Sequence, residues 1–400
     1  MTKIAEPILP PVSERSNLLG WMRRNLFGSW TDALLTLIGV WIVYWAASGL
    51  LRWALYTAEW KVIVVNARLL MIGQYPIEQV GRLWIWLGFL IFLLGNSLAI
   101  WGRGSRIAPA LLALPAATAF IFPFGADPRK WLIAMTVIGL IGWGLGRVKP
   151  EALKRSVIAG WVISLPIIIL LTYGLSKSEA SIVPIVRTNL WGGLLLTFLL
   201  TVVGILFSFP IGVLLALGRR SELPAVRWFS VGYIELVRGV PLITILFMAQ
   251  LMLPLFLPEG WTVDRVVRAM VGITLFSAAY LAENVRGGLQ AIPKGQFEAA
   301  AALGLSGAQT MIFIILPQAL RLVIPILVGQ FIALYKDTSL VAIVGLLDLV
   351  GIARTVLAQP EFLGLQREVY VFISLIFWTL SYGMSYVSQR LEERLGVGIR

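Results

Sequence analysis

Long apolar runs limit what this chain can fold into before any other feature does. A helix crossing about 30 Å of hydrocarbon takes roughly 20 apolar residues. Ten stretches of the 400-residue sequence approach or reach that length: 31–51, 84–101, 107–124, 131–146, 156–175, 190–217, 239–257, 269–285, 319–335 and 369–388. Backbone groups placed in lipid must be paired within their own segment, so runs of this kind predict an all-α polytopic membrane protein. The fourth run is short and the third carries Pro115 and Pro123, so either reads equally well as a re-entrant segment. With 58% hydrophobic and 13% charged residues, the chain is more apolar than the core of a water-soluble domain requires.

Composition removes most chemistry. Cysteine and histidine are both absent, which excludes disulfide frameworks, Cys/His metal sites, cysteine or Ser-His nucleophiles and haem ligation by either residue. A net charge of +13 would suit nucleic acid only if the cations clustered on a soluble face, and here they flank apolar runs, so no nucleic-acid partner is expected. Arg23 and Arg24 precede the first run, and Ala46-Ala47-Ser48 ends it, the layout of a signal peptide. A polar leader of about thirty residues and the many later spans favour an uncleaved first helix instead. Pro7, Pro10 and Pro11 among polar residues make 1–30 a mobile leader.

Orientation follows the excess of Lys and Arg in cytoplasmic loops. Placing the N-terminus inside assigns twenty of the 33 basic residues to inner loops and thirteen to outer ones, over loops of similar total length. Both termini are therefore expected in the cytoplasm, with the tail at 392–400, and the segment from Arg286 to Pro317 faces the same side. Within it, Ile292-Pro293-Lys294-Gly295-Gln296-Phe297-Glu298-Ala299-Ala300-Ala301-Ala302-Leu303-Gly304 carries proline suited to a first helical position and glycine suited to the residue past the end. About ten residues make roughly 15 Å of helix, half a bilayer, so this helix lies on a surface. Ser306-Gly307-Ala308-Gln309 reads as a capping box opening a second helix, which runs to Leu316-Pro317, where proline is expected to bend the path. On composition alone, an Ala-rich helix here is a plain connector.

Its spacing says more. Glu298-Ala299-Ala300, then Gly304, then nine residues, then Ile314, Leu316 and Pro317, resembles the EAA loop of ABC importer permeases, with every specified position filled. Asn189-Leu190-Trp191-Gly192-Gly193-Leu194, Glu235-Leu236-Val237-Arg238-Gly239-Val240-Pro241-Leu242, Ala282-Glu283-Asn284-Val285-Arg286-Gly287-Gly288 and Lys336-Asp337-Thr338-Ser339-Leu340 look like successive segments of the polar amino-acid permeases of the histidine, glutamine and arginine uptake systems. The resemblance covers 187–391. It implies a type I ABC importer transmembrane domain, a MetI-like five-helix core with its coupling loop at 292–317, preceded at 31–180 by about five further spans. Length and layout resemble the M-type subunit of the general L-amino-acid importer.

The same resemblance implies a pore of two permease subunits, this one paired with a homologous chain, and two ATPase subunits that grip Glu298, Ala299, Ala300, Gly304, Leu316 and Pro317. It also implies a periplasmic amino-acid-binding protein and a bacterial inner-membrane location. No Gly-x-x-x-x-Gly-Lys-Ser/Thr loop occurs in the chain, so ATP and Mg are expected on the partner and this chain is expected to hold no cofactor or metal.

Candidates for the substrate path are weighed against plainer roles. Glu283 stands alone as a charge near the inner end of its span, yet Arg286 three residues on explains it as well. Asp337, Thr338 and Ser339, at the outer end of the ninth span, suit an ammonium and a carboxylate, or simply solvent. Thr197 and Thr201 share a helix face below Asn189, but threonines also bond back to their own helix. Arg238, after Glu235, fits an interfacial anchor. The N-terminal spans hold hardly any ionisable residues beyond Asp32, so they are expected outside the path and useful in assembly. An ion-coupled secondary transporter would show inverted repeats and charged midplane helices, neither of which is visible, and a non-transporting structural subunit is the remaining alternative.

Overall fold

A computed structural model describes residues 18–102, 108–121, 126–176, 178, 181 and 183–395, leaving most of the leader and the last residues of the tail outside. Among the described residues, eight helices are long and apolar enough to cross a membrane, and the two limbs Pro224–Arg238 and Leu242–Phe256, bent by 104° at Gly239–Pro241, make a ninth if they are taken as one span. Of the third expected run, the described residues form the 14-residue helix Ala108–Ile121, about 21 Å long.

Residues up to Trp60 form one compact unit and Lys61–Arg400 the other. The first contains α1 (Trp30–Arg52), started by Ser29, whose hydroxyl accepts the Asp32 N–H at 3.1 Å. None of its spanning window is buried.

In the second unit, α2 (Lys61–Val65) and α3 (Ala67–Ile72) precede four apolar helices: α4 (Val80–Ile100), α5 (Ala108–Ile121), α6 (Ala126–Val148) and α7 (Pro150–Tyr173). Then follow α8 (Gly193–Arg219), α9 (Pro224–Arg238), α10 (Leu242–Phe256), α11 (Arg265–Gln290), the short α12 (Lys294–Ala302), α13 (Gly307–Ala342), α14 (Leu349–Leu357) and α15 (Gln366–Leu395). Without a hydrophobic drive inside lipid, such helices associate through close packing of small residues. A Cβ on Gly95 of α4 would sit 2.2 Å from the Gly139 carbonyl of α6, and one on Gly142 would sit 2.4 Å from the Phe92 carbonyl.

The two largest of the apolar clusters among the described residues organise this unit. One joins Tyr75, Leu83, Trp86 and Ile168 to Trp191, Leu196, Leu200, Ile273 and Leu334, so the spans before residue 187 share a core with those after it. The other gathers Ala216, Ile234, Leu281, Leu289, Ile292, Ile315 and Ala319 around the base of α12.

Candidate functional site

The connection between α11 and α13 is a knob with defined ends. Pro293 sits at the N-cap, one residue ahead of the expected first helical position, and α12 runs from Lys294 to Ala302. Its far end closes through two bonds: Gly304 N–H to the Ala301 carbonyl at 2.9 Å and Leu305 N–H to the Ala300 carbonyl at 3.1 Å. This paired closure needs a left-handed residue after the cap, and Gly304 supplies it with φ +77°. A Cβ there would meet nothing within 4 Å, so glycine serves backbone conformation and not packing.

Phe297 packs partly buried against the second cluster and Ala300 is buried, while Glu298, Ala299 and Leu303 are exposed. Leu303, at the tip, is 80% exposed. Gln318 Nε2 donates to Gln296 Oε1 at 3.1 Å and ties the knob to α13.

The capping box forms as expected: Gln309 N–H donates to Ser306 Oγ at 3.3 Å, and Ser306 N–H to Gln309 Oε1 at 2.9 Å. The helix it opens does not end at Leu316-Pro317, which corrects the sequence expectation. It widens into a π turn at Thr310–Ile315 and continues to Ala342 as one 36-residue helix. Proline clashes with the carbonyl four residues back, here that of Phe313, which lies inside the widened turn. The turn therefore absorbs the ring, leaving Pro317 exposed and Leu316 half-buried against the cluster.

Behind the knob lies a cluster of charge. Glu283 is seven residues before the end of α11, about two turns, and thus deeper than the sequence placed it. The helix passes Gly287 and Gly288 because Gly288 lets α13 come close; a Cβ would stand 2.7 Å from the Ala319 carbonyl. The Glu283 carboxylate meets Arg219 Nη1 at 2.7 Å, Arg286 Nη2 at 2.9 Å and Arg238 Nη1 at 3.7 Å. Arg219 also pairs with Glu235 at 3.0 Å. The local pair with Arg286 was legible; the Arg219 partner, 64 residues away, was not.

The other path candidates lie at the opposite ends of these helices. Thr197 and Thr201 are buried, and their hydroxyls donate to the carbonyls of Gly193 at 3.2 Å and Thr197 at 2.8 Å. Thr197 Oγ1 also accepts the Leu349 N–H at 3.1 Å, joining α8 to the start of α14. Thr338 is buried and donates to the Tyr335 carbonyl at 2.7 Å, while Asp337 and Ser339 are half-buried. Asn189 is exposed in a short turn whose Thr188 bonds Asp264, the N-cap of α11. Glu283 is therefore not brought together with the rest.

Sequence reasoning missed Asp348, a fully buried carboxylate whose oxygens accept the N–H groups of Val350 and Gly351. Its only sequence signal is an acidic residue just ahead of an apolar helical run. A groove of about 610 Å³ along α7, α8 and α11 is lined by Ile169, Leu199, Val203, Phe207 and Met270, with Thr188 and Asp264 among its few polar residues. None of the path candidates lines it, and its walls suit an apolar occupant.

A family model described as binding-protein-dependent transport system inner membrane component matches residues 208–397. The inner membrane amino-acid ABC transporter permease protein YhdY of Escherichia coli K12 is 40% identical over 100% of this chain and 99% of its own length. This chain belongs to that permease family.

The permease is also 38% identical to the glutamate/glutamine/aspartate/asparagine transport system permease protein BztC of Rhodobacter capsulatus, over 98% of this chain and 97% of that one. The shorter probable glutamine ABC transporter permease protein GlnP of Bacillus subtilis is 34% identical over 93% of its length but 51% of this permease. A crystal structure of an amino acid ABC transporter with histidines aligns to 50% of the permease at 29% identity and a TM-score of 0.46. Membership makes the permease a multi-pass membrane subunit of an amino-acid ABC importer, a class of subunit that is not itself an ATPase.

Proposed function

We propose that the permease carries polar L-amino acids into the bacterial cytoplasm by alternating access, driven by ATP and Mg bound on two partner ATPase subunits. The observation that carries this reading is the α12 knob. It has a rigid start, a glycine-closed end and an exposed face of Glu298, Ala299 and Leu303, small enough at Ala299 for a partner groove to approach closely. A second, homologous permease subunit completes the pore, and a periplasmic binding protein delivers substrate. Both termini and the knob face the cytoplasm, in line with the distribution of Lys and Arg. The name of BztC, with its glutamate, glutamine, aspartate and asparagine, supports a polar amino acid as cargo.

The absence of cysteine makes the test direct. A single cysteine at Ala299 is expected to react with a membrane-impermeant maleimide only from the cytoplasmic side, and to be shielded when the intact complex is isolated. Tagged permease purified from its native membranes is expected to bring an ATPase with it. Labelling from the periplasm, or amino-acid uptake abolished by a protonophore while ATP persists, would overturn the reading.

A further inference from the structure

Glu283 is where three helices meet at the knob end of the permease. Arg219 reaches it from the last turn of α8, Arg238 from the last residue of α9, and Arg286 from the next turn of α11. Arg286 Nε donates to both carboxylate oxygens, at 3.1 and 3.0 Å, and the Glu283 side chain is only 14% exposed. A buried carboxylate shared by guanidinium groups is a poor device for stability alone, because desolvation offsets most of the attraction. It is a good device for register, since one carboxylate ties three helices together at a fixed level.

The attachments of the cluster give it a direction. Arg238 is the residue before the 104° bend between α9 and α10. Beyond Glu283, α11 continues without a break to Gln290, and Ile292, buried in the cluster that holds Leu281 and Leu289, leads directly into α12. A displacement of the knob therefore reaches Glu283 along one packed helix, and Glu283 passes it to α8 and to the bend.

Arg238 also has a second partner. Its guanidinium lies 5.6 Å from the ring centroid of Tyr280, three residues before Glu283 on the same helix, an attractive placement for a cation. Its contact with Glu283, at 3.7 Å, is the longest of the three. Both contacts are made at once, so the guanidinium is held between the carboxylate and the ring, and a small displacement of the end of α9 can shift it toward either one without leaving the charge unpaired.

We propose that Glu283 is a relay, holding Arg219 and Arg238 so that movement of the α12 knob is transmitted to the bend in the 224–256 span, with Arg238 clamped between Glu283 and Tyr280. The relay is a positioning device and touches no substrate; it rests on the reading of α12 as the seat of an ATPase.

The experiment uses the complex isolated from its own membranes through a tag on this chain and reconstituted in vesicles, with ATP hydrolysis and amino-acid uptake measured together. Glu283→Gln is expected to keep hydrolysis while uptake per ATP falls about tenfold or more. Tyr280→Leu, which leaves the ion cluster in place, is expected to lower the same ratio, and Tyr280→Phe to restore it by returning the ring. If Glu283→Gln does not assemble, the Tyr280 pair decides alone. An unchanged ratio in an assembled Glu283→Gln complex or in Tyr280→Leu, or equal loss of hydrolysis and uptake at normal amounts of complex, would leave only a structural staple and overturn the relay. Wild-type vesicles that hydrolyse ATP without importing anything, or import without ATP, would instead overturn the underlying reading.

Discussion

Two single residues carry chemistry that can be isolated by substitution. Gly304 holds φ +77° with open space around it, so a β-branched side chain there pays only for the backbone, about 1–3 kcal/mol. Gly304→Val is expected to reach the membrane in normal amount while losing most ATP-driven uptake, and Gly304→Asn to retain more, because asparagine tolerates the left-handed region. Normal uptake by the valine variant would remove the case for a shaped knob.

Asp348 differs in kind. Burial pushes its carboxyl from 3.8 up to about 7, against the opposing pull of the Gly351 and Val350 N–H donors and of Arg354. Between those values the folded chain holds a proton that the unfolded chain has released, so stability is greatest on the acid side and declines as pH rises through that window. Asparagine caps a helix as well as aspartate does and carries no charge. Asp348→Asn is expected to flatten the dependence of melting temperature on pH between about 4 and 7 and to raise it by a few degrees above that window. A slope that survives the substitution would assign the dependence elsewhere.

At the scale of elements, legibility followed range along the chain. The two ends of α12 and the capping box at Ser306 were readable because each is set by residues within six positions of one another. Pro317 was misjudged for a matching reason: a proline signals a break locally, and only the π turn at Thr310–Ile315, which rests on packing of Ile315 in the second cluster, lets the helix run through. The Arg219–Glu283 contact and the Thr197–Leu349 bond join residues 64 and 152 positions apart, and no local pattern reports such pairs. The least visible element is α3. It lies against α8 and α14, and it ends at Gly73, whose φ is +64° and where a Cβ would stand 2.5 Å from Gly192 Cα and 2.6 Å from Gly192 N. Both obstacles are backbone and cannot rotate away. Gly73→Ala is expected to cost about 2 kcal/mol or more, from overpacking and backbone conformation together, and to lower the melting temperature of the purified permease by several degrees. An alanine variant that melts like the parent would mean α3 does not dock this closely.

For the whole molecule, the little charge in the N-terminal runs put those spans outside the transport path and left them a part in assembly. The compact units divide the chain elsewhere, at Trp60 and Lys61. From Lys61 onward the early segments are built into the core: Tyr75, fully buried, donates its hydroxyl to the Thr172 carbonyl at 2.9 Å, and Arg82 Nη1 donates to the Pro184 carbonyl at 3.0 Å. In lipid, hydrocarbon can replace lost apolar contacts, so what truncation removes is close packing and hydrogen bonds. Cutting at residue 180 would strip α3 from the Gly192–Gly193 backbone and leave the ends of α8 and α14 without their neighbour. Cutting at residue 60 would leave the second unit complete. A chain lacking 1–60 is therefore expected to accumulate in membranes and melt within a few degrees of the full permease, and one lacking 1–180 to fail to accumulate or to melt at least about 10 °C lower. Equal stability of the two truncated chains, measured by thermal unfolding in the same detergent, would show that the core from residue 187 stands alone and that the early spans have no part in assembly.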